Sequence, residues 1–251
     1  MAERGYSADD MMTVAAAHRL HNGTVCFVGI GLPSAAANLA RHTHAPACVL
    51  IYESGTIGAK PTRLPLSIGD GDLAATADVV VSVPEIFTYY LQAGRIDVGF
   101  LGAAQVDRFG NLNTTVVGEY GRPTVRLPGA GGAPEIASGA REVVIVLRQS
   151  LRTFVRQLDF LTSVGYLEGG DSRARLGLRG GGPSVVITDL GILEPDPETR
   201  ELVLTGLHPG STADQAVAAT GWPLRVAAAL HTTEPPTEVE LAVLAGLRGV
   251  P

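Results

Sequence analysis

The residues that could do chemistry in this chain gather at the ends of apolar runs. Cys48 to Tyr52 (CVLIY) leads directly into Glu53-Ser54-Gly55, which sets a carboxylate beside a flexible turn at a strand's carboxyl end, where open α/β sheets build their sites. Such a glutamate can belong to a site formed there, or simply cap or salt-bridge a neighbour, and the local sequence leaves both readings open. Upstream, Val25 to Val28 ends in Gly29-Ile30-Gly31-Leu32-Pro33, whose unobstructed N–H groups before a helix suit a pyrophosphate or an oxyanion. It is not a full G-x-G-x-x-G, because Ser34 stands at the last glycine position, so nicotinamide binding has little support. Two further clusters follow strands: Gly102 to Asn113 (GAAQVDRFGNLN), which carries Gln105 and is also consistent with a plain Asx-rich turn, and Leu127 to Glu135 (LPGAGGAPE), where Gly131 and Gly132 open onto a helix.

These groups need elements to hold them. Ser7 is a helix cap for a segment running to about His21 with Gly23 beyond it, and the alanine-rich SAAANLARH after Ser34 suits a close-packed helix. Val/Ile/Leu runs separated by helical stretches recur at CVLIY, DVVVS, VGFLG and EVVIVLR, as a parallel sheet covered on both faces requires. The expected fold class is α/β, an open, mostly parallel sheet flanked by helices. After about residue 183 the texture turns β-rich: PSVVITDLGILEPD and RELVLTGLHPG read as an antiparallel hairpin, an edge appended to one domain spanning 1–251. Helices are expected near TADQAVAATG and TEVELAVLAGL, and the glycines at 169, 170 and 180–182 read as a mobile surface loop.

Composition removes several functions. At 251 residues the chain can close a core without staples, and 45% hydrophobic against 18% charged residues is too apolar for disorder. No apolar run approaches the roughly 18 residues of a membrane span, and the amino terminus lacks a signal-peptide pattern, so a cytoplasmic location is expected. A net charge of −6 and 5% aromatic residues offer neither a basic stripe nor stacking platforms for nucleic acid. Cys26 and Cys48 lie in apolar runs as core thiols, and the six histidines show no metal-ligand spacing, so no metal is expected. Lys60 is the only lysine, which leaves anions to arginines, backbone amides and helix N-termini.

Taken in order, GIGLP at 29–33, YESG at 52–55, GAAQVDRFGNLN at 102–113 and LPGAGGA at 127–133 closely resemble the β-subunit of family I CoA-transferases of the glutaconate and 3-oxoacid/3-oxoadipate type, over most of residues 7–230. The resemblance implies a sugar-isomerase/CoA-transferase (NagB/RpiA-like) fold and an α-subunit partner in a hetero-oligomer, α2β2 or larger. It implies that coenzyme A enters as a thioester substrate, with no tightly bound cofactor. By resemblance Glu53 is the catalytic glutamate, attacking an acyl-CoA to give a mixed anhydride and then a γ-glutamyl-CoA thioester in a ping-pong exchange with a carboxylic acid. Candidates for oxyanion or CoA binding are Gly29, Gly31, Gln105, Gly131 and Gly132. Arg63 and Arg126 are candidates for contacting a substrate carboxylate or phosphate. Ser54 stands where acetate and acetoacetate members commonly carry Asn, a variant similar to the glutaconate branch, which weighs against a short-chain 3-oxoacid without excluding it; the acid implied is a dicarboxylate or a 3-oxoacid. An acyl-CoA hydrolase of the same fold, or a non-catalytic subunit, are the alternatives, and retention of Glu53 favours transfer.

Overall fold

The apolar runs become the middle of one ten-stranded sheet in the computed structural model, which describes residues 5–249. In chain order the strands are β1 (Val25–Val28), β2 (Val49–Tyr52), β3 (Thr56–Ile57), β4 (Val79–Val80), β5 (Val98–Leu101), β6 (Gln105–Val106), β7 (Leu112–Asn113), β8 (Val116–Glu119), β9 (Arg122–Arg126), β10 (Glu142–Val146), β11 (Pro183–Ile187), β12 (Gly191–Pro195), β13 (Leu202–Leu207) and β14 (Arg225–Thr232). The helices are α1 (Ala8–Ala17), α2 (Leu32–His42), α3 (Gly71–Thr76), α4 (Val83–Glu85), α5 (Ala133–Gly139), α6 (Ser172–Arg175), α7 (Ala213–Ala218) and α8 (Glu238–Arg248), and a π-helical stretch, Ile86–Leu91, continues α4.

The sheet runs β14-β13-β12-β11-β10-β5-β1-β2-β3-β4. Its centre, β11 to β2, is parallel, while β3 and β4 at one end and the β11-β12-β13 meander at the other are antiparallel. Strands β1, β2, β5 and β10 are buried on both faces, which explains why they read as unbroken apolar runs. The appended edge expected after residue 183 is continuous with the sheet. Strand β14, the short β3 and the separate β8–β9 hairpin carry no clear period in the sequence and emerge only in the structure, whereas DVVVS, read as one run of a parallel sheet covered on both faces, supplies only the two-residue, exposed, antiparallel edge strand β4.

Helices α1, α2 and α8 cover one face. Alanines 35, 36, 37 and 40 are buried along α2, and their single methyl groups let it lie close to α1 and the sheet. Ser7 caps α1 in a reciprocal box with Asp10, an arrangement stabilising by about 1 kcal/mol. The helix stops at Ala17, short of the expected His21, because Arg19 and Leu20 donate to carbonyls three residues back and tighten the last turn. The opposite face holds Phe27, Ile51, Ile136 and Ile145, with Phe154 stacked on Trp222 at 5.6 Å. Both cysteines are free and buried as expected, and burial pushes the Cys48 thiol up to about 11.

The glycine segment expected to be a mobile surface loop is instead built into the body. Gly180 and Gly181 donate to Ser138 O (2.8 Å) and Arg141 O (3.0 Å). The buried Arg173 guanidinium donates to the carbonyls of Ala137 (3.0 Å), Gly165 (2.8 Å) and Gly180 (2.8 Å). The glycines are there because the backbones approach closely, a requirement that a linear sequence does not distinguish from flexibility.

Candidate functional site

The register of β1 on β2 pairs Val28 with Tyr52, so the Gly29 turn and Glu53 leave the sheet side by side. Glu53 and Ser54 form the corner of a turn closed by Gly55 N–H donating to Tyr52 O (3.0 Å). Gly55 has φ +106° and its α-carbon lies against the Val81 carbonyl, so a side chain fits neither the dihedral nor the space.

The carboxylate of Glu53 faces a cleft of about 240 Å³ at the carboxyl ends of β1, β2 and β5. Its walls are the Val28-Gly29-Ile30 turn, Pro33, Ile68, Gly102 and the loop Ala130 to Ala133. A Cβ added to Gly132 would lie 3.2 Å from Glu53 Oε2 and 2.9 Å from Phe87 Cζ, which places the carboxylate directly against that loop. Glu53 enters none of the ion pairs among the described residues, and among those residues it is the only charged side chain lining the cleft. A carboxylate left untied beside glycine amides and apolar walls is available as a nucleophile. The Ser54 hydroxyl next to it is buried without a partner.

Of the other candidate residues, Gly29, Gly131 and Gly132 share the cleft with Glu53. Gly31, with φ +84°, caps α2 without any side-chain hydrogen bond and lines a neighbouring cavity of about 310 Å³ behind the turn. Gln105 is placed elsewhere: its amide donates to Asp159 (2.6 Å) and its carbonyl accepts from Asn113 (2.7 Å), so both ends are spent holding the β6–β7 hairpin. Within that hairpin Asp107 accepts from the Phe109 and Asn111 amides, the Asx turn that the plain reading expects. Arg63 makes two bonds to Asp70, at 3.1 and 3.2 Å. Arg126 lies over the Tyr120 ring and donates to that residue's carbonyl. Neither arginine lines the Glu53 cleft. Ile68, which lines it, comes from an irregular loop without a sequence signal, and Phe87, whose ring lies against Gly132, comes from the π-helical stretch.

A larger cavity, about 650 Å³, surrounds Asp107 to Asn111 near the start of β13, where Leu202 N–H donates to Arg108 O, and so lies away from the carboxyl-end cleft. Among the described residues no His, Cys, Asp and Glu side chains group as a metal site, and no helix is long and apolar enough to cross a membrane.

An open α/β sheet with a lone carboxylate in a glycine-lined cleft at its carboxyl edge defines the class, and the chain belongs to the coenzyme A transferase family, whose model, described as Coenzyme A transferase, matches residues 9–219. More particularly, the chain is similar to the β-subunits of two such enzymes. It is 66% identical over 242 residues to that of the 3-oxoadipate CoA-transferase of Pseudomonas knackmussii, covering 96% of this chain and 93% of that one. It is 36% identical to that of the glutaconate CoA-transferase of Acidaminococcus fermentans, covering 92% and 88%. The crystal structure of the Acidaminococcus glutaconate coenzyme A-transferase superposes with a TM-score of 0.90 at 32% identity, over 96% of this chain and 94% of that chain.

Proposed function

We propose that this chain, folded as one domain, is the β-subunit of a cytoplasmic CoA-transferase that works with a separate α-subunit and exchanges coenzyme A between dicarboxylic acids, 3-oxoadipate foremost. The single observation that carries the reading is the untied Glu53 carboxylate set against the Gly131-Gly132 loop and the Gly29 turn. Coenzyme A enters and leaves as substrate. Of the acids after which the two relatives are named, 3-oxoadipate goes with 66% identity and glutaconate with 36%, and both are diacids.

An oxygen of Glu53 attacks the thioester carbonyl, the carbon–sulfur bond breaks, and CoA leaves as thiolate while an acyl-glutamyl anhydride forms. The thiolate then attacks the glutamyl carbonyl, releasing the first acid, with one oxygen from Glu53, and leaving CoA on the enzyme as a γ-glutamyl thioester. The acceptor acid repeats both steps in reverse and restores the carboxylate. Thioester and anhydride are similarly reactive, so the covalent carrier divides one transfer into reversible halves. Negative charge developing on the carbonyl oxygen needs fixed donors, each worth a few kcal/mol; the amides around Gly29, Gly131 and Gly132 are the candidates from this chain. Water must be excluded from both intermediates, and closure of the open cleft by the partner supplies that. Neither Arg63 nor Arg126 lines the cleft, which favours the partner's wall as the source of the cation for the far carboxylate.

The test uses the complex of both subunits. Incubation with 3-oxoadipyl-CoA should add one CoA to this chain by intact mass, and labelled 3-oxoadipate should exchange into 3-oxoadipyl-CoA with no second acid present. Glu53→Gln should abolish both. Exchange that survives the substitution, or free acid produced at the full rate without an acceptor, refutes the assignment.

A further inference from the structure

Tyr52 and Glu53 leave the end of β2 in opposite directions. The pleat sends Tyr52 into the face covered by α2, where it is fully buried, while Glu53 turns to the face of α5 and Gly132. The phenol is held there. Asn38 Nδ2 donates to it at 3.2 Å, and Ser34 Oγ shares a hydrogen bond with it at 3.3 Å. Asn38 Nδ2 also donates to the Ser34 carbonyl at 2.9 Å, so the three side chains and the first turns of α2 form one unit.

This polar cluster is out of place as packing. It lies in a helix whose other buried residues are Ala35, Ala36, Ala37, Leu39 and Ala40, and Asn38 is fully buried with Oδ1 left without a partner. An orphaned buried acceptor is destabilising, a cost that an apolar residue would avoid. What the cluster does achieve is mechanical. The first turn of α2 follows directly on the Gly29-Ile30 turn, one wall of the cleft, and Tyr52 is the residue to which the Glu53 turn is attached. Bonding Tyr52 to α2 fixes the distance between the two walls beside a carboxylate that no side chain among the described residues holds.

We propose that Tyr52, through Ser34 and Asn38, is a positioning residue that sets the attack geometry of Glu53. This rests on the assignment of Glu53 as nucleophile. Rates respond steeply to such placement, since a misplacement of about 1 Å can cost about 100-fold, whereas binding of the large CoA moiety does not depend on it.

The test is single-turnover formation of the CoA adduct by the complete complex with 3-oxoadipyl-CoA, alongside steady-state exchange and thermal unfolding. Tyr52→Phe, which removes one oxygen, should slow adduct formation and kcat about tenfold while KM for the thioester stays within about twofold. Ser34→Ala and Asn38→Leu should slow the same step, and each combined with Tyr52→Phe should lose less than the product of the single effects. Tyr166, whose buried hydroxyl donates to Pro183 O at 2.9 Å outside the cleft, is the control: Tyr166→Phe should lower the melting temperature and leave kcat unchanged. A wild-type adduct rate in folded Tyr52→Phe, or independent effects throughout the set, overturns the proposal and leaves the function of Glu53 intact. If Tyr52→Phe does not fold, full-rate adduct formation in both Ser34→Ala and Asn38→Leu overturns it equally. Absence of any adduct in the unsubstituted complex removes both readings together.

Discussion

At the scale of single residues, the cleft is defined by what glycine leaves out. The absent side chain of Gly132 is the space in which the Glu53 carboxylate and the Phe87 ring approach each other. Gly132 has no positive φ, so Gly132→Ala is tolerated by the backbone and acts by displacement of those two neighbours. We expect the variant to fold with near-normal stability and to lose at least about tenfold in kcat, measured by the 3-oxoadipate exchange rate. Gly55 is a different case, with both a positive φ and the Val81 carbonyl against it, and substitution there strains the turn itself.

At the scale of elements, α1 and α8 are tied by side-chain bonds at both ends. Asp10 accepts from Arg248 at 2.6 Å, and Glu240 meets His18 at 2.6 Å while also capping α8 with Thr237. Burial pushes the Asp10 carboxyl up, but hydrogen bonds from Ser7 and Arg248 outweigh it and hold it below its ordinary value. For Glu240 burial is likewise outweighed, by bonds from Thr237 and His18. A carboxyl lowered in the folded state stabilises above its unfolded value, about 4, and loses that contribution as pH falls through the lowered one. Urea midpoints should therefore fall below about pH 4, and Asp10→Asn should flatten that fall. A midpoint that drops identically in the variant would place the acid sensitivity elsewhere. Arg173 ties elements differently, by donating to the carbonyls of Ala137, Val164, Gly165 and Gly180 with no carboxylate partner among the described residues, and burial lowers its own pKa.

At the scale of the whole molecule, the sheet places Glu53 at an open edge. The cleft has walls from β1, β2, β5 and the 130–133 loop, and reactive acyl intermediates need a dry site. The chain purified alone should give less than about a hundredth of the exchange rate of the complex, recovered on adding the α-subunit. Full exchange by the isolated chain would show that this polypeptide encloses the site unaided.

The central strands, the meander after residue 183, the buried cysteines and the carboxylate at a strand end were all legible, because each rests on local pattern: unbroken apolar runs, turn chemistry, and the residue that follows a strand. Four short motifs in order were enough to carry the family. Tertiary structure alone decided which of those motifs meet. Gly29, Gly131 and Gly132 converge on Glu53 because β1 lies in register beside β2 and α5 packs on the adjacent β5, whereas Gln105, from an equally suggestive motif, is consumed by Asp159 and Asn113. The same holds for the glycines near 180, which permit close packing where their spacing suggested freedom. A sequence specifies the type and order of groups, but distances between them are fixed by strand order, register and the partners that saturate each polar atom, all of which are contacts between residues far apart in the chain.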